Sequence, residues 1–148
     1  MARKWWIIIA GVVVVGLGLG LGLGLGLRGP GVDLSSPKAT VNSYLDAFED
    51  QDAGRMADCW GLTGDDRAAF IDGWEAVFDL IDSVEITEID KTGIPGPDTD
   101  VEGNATYHIR VVAEGVPLVD TDSSDYFQLV KVNEDWHIVD WIPGWLWP

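Results

Sequence analysis

The chain has one cysteine, two histidines and nine basic residues among 148, and each shortage removes a class of function. A lone Cys59 cannot form an internal disulfide, and no metal or redox motif can be built on it; at the edge of a helical pattern it reads as a small buried hydrophobe. Nucleic-acid binding needs a basic patch, and beyond the N-terminus only Arg55, Arg67 and Arg110 are candidates for one. His108 shares the outer face with Arg110, His137 lies on the opposite face of its strand from Asp140, and two histidines on separate surfaces make no zinc site. No nucleophile, phosphate-binding or metal-ligand constellation is present, so no cofactor and no metal are expected.

A third absence is local. From Trp5 to Leu27 there is no charged residue. At about 1.5 Å per residue, that run makes a helix of roughly 35 Å, enough to cross a hydrocarbon core of about 30 Å. The apolar run is too long for a cleaved signal peptide, and Leu27, Arg28, Gly29, Pro30 offers no small-residue cleavage site. The expectation is an uncleaved signal anchor, residues 5–27, behind a cytoplasmic tip, residues 1–4. Arg3 and Lys4 against the single Arg28 favour an inner N-terminus, placing the following domain on the outer face of the cell membrane. Leu and Gly alternate from Gly16, and in a helix Gly16, Gly20 and Gly24 share one stripe. Two readings of it stand, a docking surface for a second copy or a partner helix, or apolar filler.

What remains is acidic. All 25 Asp and Glu lie beyond Gly31, Asp outnumbers Glu and Lys is scarce, a balance that fits a solvated, salt-tolerant surface. Residues 28–35 read as a short tether and residues 36–148 as one domain with one core. Ser36 before Pro37 is a helix start, and Val41, Tyr44, Leu45 and Phe48 recur at helical spacing until about Gln51. Asp52 caps a second helix, Ala53 to Trp60, which Gly61 stops. A third runs from Asp65 to Ile81 on Phe70, Trp74, Val77, Phe78 and Ile81.

After Asp82 the period falls to two. Val84 and Ile86 alternate with Glu85 and Thr87, and Ile89 breaks parity, the mark of a bulge or strand end. Val101 to Ala113 alternates more regularly, with Tyr107 on the apolar face and His108 and Arg110 on the polar one. Gly115 to Ser124 reads as a polar connection, followed by a strand near Tyr126 to Val132. Asn133 to Asp135 makes a turn, and a last strand runs from Trp136 to Ile142. Helices followed by antiparallel strands give an α+β fold, about three helices packed on a curved antiparallel sheet of about four strands.

Ser36 to Phe48, the short helix ending Cys59-Trp60 and the closing Asn133 to Asp140 together resemble the opening and the final hairpin of the nuclear-transport-factor-2-like superfamily, in particular its membrane-anchored prokaryotic domains of unknown function. The resemblance implies a cone-like sheet with a pocket between sheet and helices. Pocket candidates are Tyr44, Phe48, Trp60, Trp74, Tyr107 and Asp140. Enzymes of similar fold use a pocket carboxylate or His as base, which singles out Asp140 with Tyr44 or Tyr107 as weak catalytic candidates. Strand alternation puts Asp140 on the face of Trp136 and Ile138; it either points inward or, at the strand end near the open rim, is simply hydrated. Trp141, Trp145 and Trp147 form an indole-rich tail, read either as a cover over the core or as a sticky patch. Asn104-Ala105-Thr106 matches a glycosylation acceptor, meaningful only if the domain faces outward in an organism that glycosylates. The leading expectation is a membrane-anchored binding or accessory module without catalysis. The alternative is a pocket for a small apolar ligand, or an isomerase or dehydratase using an inward carboxylate.

Overall fold

The computed structural model describes residues 31–90, 93–94 and 101–144. The apolar run Trp5–Leu27 with its Gly16, Gly20 and Gly24, and the tail residues Trp145 and Trp147, lie outside them. Among the described residues no helix is long and apolar enough to cross a membrane.

Helix α1, Pro37–Glu49, begins as its sequence requires. Ser36 is extended, and its Oγ accepts from Ala39 N at 3.1 Å, while Pro37 occupies a first-turn position that needs no donor. Val41, Tyr44, Leu45 and Phe48 line its buried face. Helix α2, Ala53–Cys59, starts on Asp52, whose Oδ1 accepts from Arg55 N at 3.0 Å. Gly61 follows with φ of 65°, and a Cβ there would lie 2.8 Å from His137 Nδ1. Only glycine meets both demands. Helix α3, Gly64–Phe78, buries Phe70, Trp74, Val77 and Phe78. It stops three residues short of the expected Ile81, which is buried from the turn instead.

Four strands follow in a meander, β1 Ser83–Asp90, β2 Val101–Ala113, β3 Val116–Val132 and β4 Asp135–Ile142, each antiparallel to its neighbour in the order β1-β2-β3-β4. Three helices on a four-stranded antiparallel sheet make the fold α+β. The break at Ile89 is a bulge: Thr87 pairs with His108 and Ile89 with Tyr107, leaving Glu88 at φ 52°.

Two sequence expectations are corrected by the sheet. Val116 to Ser124, within the stretch read as a connection, is the first part of β3. Glu114 and Gly115, at φ 54° and 74°, form the two-residue turn between Ala113 and Val116, and pairing then continues to Val101 opposite Leu129. The segment is polar because it projects Asp120, Asp122 and Ser124 into water. The second correction concerns β4. Leu129 pairs with Ile138 but Gln128 with Asp140, so Val139 is an extra residue that reverses the alternation. Trp141 therefore joins Phe127 in the core, and Asp140 turns to the outer face.

All helices serve one continuous core against the inner face of the sheet. Its outer margin at β4 is sealed by the residues just before α1. Trp136 N donates to Leu34 O at 2.9 Å, Thr40 Oγ1 donates to Trp136 O at 3.1 Å, and Asp33 N donates to Ser43 Oγ at 2.8 Å. Leu34 is buried. The packed unit thus reaches back into the stretch 28–35 read as tether, because the β4 edge needs a backbone partner.

Candidate functional site

The register of β3 follows Phe127 and Leu129 backward to Asp125 and Ser123 on the same inner face. Asp125 is fully buried, its side chain within the helix-covered part of the sheet. A carboxylate taken from water needs donors, and the fold supplies four. Ser123 Oγ and Gly144 N donate to Oδ1, both at 2.7 Å; Trp141 Nε1 donates to Oδ2 at 2.8 Å, and the Tyr107 hydroxyl donates to the same oxygen. Burial pushes the Asp125 carboxyl above the ordinary carboxylate value, against the pull of those four donors. Burial, with Asp125 close by, also drives Tyr107 and Tyr44 well above the usual phenol range.

Aromatic rings wall this group. Tyr44 meets Trp141 edge-on with centroids 5.3 Å apart, and Trp141 stacks on Phe127 at 17°. Trp74 continues the wall, 6.0 Å from Trp141, 5.6 Å from Phe48 and 5.5 Å from Phe78. Trp60 lies beyond, 6.0 Å from Phe70. The hydroxyl of Tyr44 and the indole N–H groups of Trp60, Trp74 and Trp136 are buried with no hydrogen-bond partner among the described residues.

Five of the six pocket candidates are therefore buried in one cluster: Tyr44, Phe48, Trp60, Trp74 and Tyr107. Asp140 is not among them. It sits half-buried on the outer face opposite Gln128, near Tyr126. Asp125 occupies the role that Asp140 was assigned. The signal that identifies Asp125 is parity: counting back in twos from Leu129 passes Phe127 and lands on it. Trp141, a candidate for an exposed interaction patch, is 6% exposed and belongs to the core.

The histidines are in unlike settings. His108 on the outer face has Nε2 2.8 Å from Asp120 and Nδ1 3.3 Å from Asp122, and the Asp122 and Asp120 carboxylates raise its pKa. His137 is buried against the end of α2, which lowers its pKa, and its Nδ1 has no partner among the described residues. Burial likewise pushes the Cys59 thiol far above its usual range, leaving it unreactive. The three arginines that a nucleic-acid surface would need each face a carboxylate: Arg55 lies 2.9 Å from Asp52, Arg67 3.1 Å from Asp58 and Arg110 4.0 Å from Asp120.

Comparison of the chain with family models, with curated proteins and with solved structures gives no match. The class defined by its own geometry is an α+β domain with a buried, fully hydrogen-bonded carboxylate in an aromatic core.

Proposed function

We propose that this chain is a membrane-anchored binding or accessory module without chemistry of its own, of the nuclear-transport-factor-2-like kind, with its domain outside the cell and its apolar N-terminal run as the single span. The observation that carries the non-catalytic part is the state of Asp125. Each of its oxygens already accepts two hydrogen bonds from the fold, and rings in mutual contact surround it, so no lone pair is directed at a substrate. A general base needs the opposite arrangement. The acidic surface and the uncharged run from Trp5 to Leu27 support the placement.

The test uses the full chain in intact cells. Added protease is expected to digest the domain without lysis; digestion only after lysis overturns the outward placement. Photo-cross-linkers at Thr87 and Gln128, on the outer sheet face, are expected to give adducts of discrete mass. Their absence from both positions overturns the binding role.

A second reading, a small-ligand pocket, is favoured by one observation: the Trp74 indole N–H is buried with no hydrogen-bond partner among the described residues, and the buried Tyr44 hydroxyl has only the Trp60 N–H beside it. A short-chain fatty alcohol, titrated against tryptophan fluorescence, separates the two. Saturable quenching lost in Tyr44→Phe supports the pocket; a linear, unsaturable response sinks it.

A further inference from the structure

We propose that Asn104 is a glycan acceptor, modified from a lipid-diphosphate-linked oligosaccharide at the outer membrane face. This rests on the outward placement proposed above, and on four observations of the sheet.

Asn104-Ala105-Thr106 has the acceptor spacing. It lies in β2, where alternation buries Gly103, Ala105 and Tyr107 and exposes Asn104 and Thr106. The amide and the hydroxyl therefore project from the same face, as one extended segment presents them. That face is the one opposite the helix-covered core, so a branched sugar on Asn104 leaves every core contact in place. The cross-strand partners are also suitable. Thr106 faces Ser124, whose Oγ lies 3.4 Å from the Thr106 hydroxyl, and Asn104 faces Tyr126. Cβ atoms of such a pair lie about 4.5 to 5.5 Å apart, which puts Tyr126, whose hydroxyl bonds to Glu102, within reach of the first sugar. An aromatic face is the common platform for the apolar face of a pyranose, and no other exposed strand position of β2 has an aromatic partner across it.

In the transfer, Asn104 Nδ2 forms a bond to the anomeric carbon of the donor. The anomeric carbon–oxygen bond to the diphosphate breaks, the lipid diphosphate leaves with the electron pair, and the amide proton passes to a base of the transferring enzyme. Nothing is oxidised or reduced. Transfer precedes folding, since Asn104 is paired with Tyr126 of β3 once the sheet has formed.

The experiment is intact-mass analysis of the full chain purified from its native membranes, with protease access measured on the same cells. The expected result is a heavier species carrying one glycan, lost completely in Asn104→Gln and in Thr106→Ala and retained in Thr106→Ser. Thr106→Ser shows that loss in Thr106→Ala reflects the missing hydroxyl and not a misfolded sheet. An unmodified Asn104 on a protease-accessible domain overturns this inference and leaves the outward placement standing. An unmodified Asn104 on a protected domain overturns both.

Discussion

Asp122 and Asp125 stand three residues apart on β3 and have almost nothing physical in common. Asp122 points into water from the outer face, its side chain 88% exposed, beside His108. Asp125 points inward, is 0% exposed and gathers one donor from β2, one from β3 and two from the end of the chain. A carboxylate in water loses little when its partner leaves, because solvent replaces it. A buried one has no replacement, so its donors and it hold one another in place. The difference comes from strand parity alone, and it assigns Asp122 to solubility and Asp125 to the architecture.

The comparison breaks most visibly at Asp125. Asp125→Ala strands four donors in the core and is expected to cost about 3 to 5 kcal/mol in urea unfolding, a large share of a small domain's stability. A loss below about 1 kcal/mol would mean the carboxylate is not a structural centre. Removing single donors should cost less. Trp141→Phe keeps the ring stacked on Phe127 and deletes one hydrogen bond, an expected loss of about 1 to 3 kcal/mol. Gly144→Ala belongs to the same range by a different route. A Cβ there would lie 2.5 Å from Ser124 O, so the segment must move and take its N–H off Asp125.

Titration sharpens the contrast further. Because Asp125 is held above its ordinary value of 3.8, between 3.8 and the raised value the native state keeps a proton that the unfolded chain has released. Its contribution to stability is complete below 3.8 and is lost as pH rises through the raised value. His137 works in the other direction. Its folded pKa is below 6.5, so its contribution is complete above 6.5 and is lost as pH falls through the lowered value. Thermal unfolding across pH should therefore lose its acidic-side slope from 6.5 downward in His137→Gln, and the opposing slope above 3.8 in Asp125→Asn. The smallest effect belongs to the outer face. Asp122→Asn should leave Tm unchanged, while the His108 titration followed by NMR moves down toward its ordinary value, a shift that added salt diminishes.

Much of this architecture is legible in the sequence. Ser36-Pro37 and Asp52 announce two helix starts by chemistry that acts within three residues, and the broken parity at Ile89 announces the Glu88 bulge. Local signals suffice there because the causes are local. The first part of β3 was hidden because a strand that extends into water on its outer face has a loop's composition. What makes it a strand is β2 beside it, a partner that composition does not display. Asp140 misled for a related reason: Val139 inserts one residue, and every side chain after it changes face. Tyr44, Phe48, Trp60, Trp74 and Tyr107 were readable as core by their spacing. Asp125 was readable only by someone who trusted parity over polarity.

The hydrogen bond from Thr40 Oγ1 to Trp136 O joins residues 96 apart in sequence, and Leu34 O closes on the same strand. Synthesis runs from the first of these to the last, so the α1 end of the domain must wait for β4 before its edge is covered. Closing so long a loop is slow compared with zipping the β2-β3 hairpin across its two-residue turn. Connectivity therefore predicts that the β2-β3 hairpin forms before residues 33–40 close on β4.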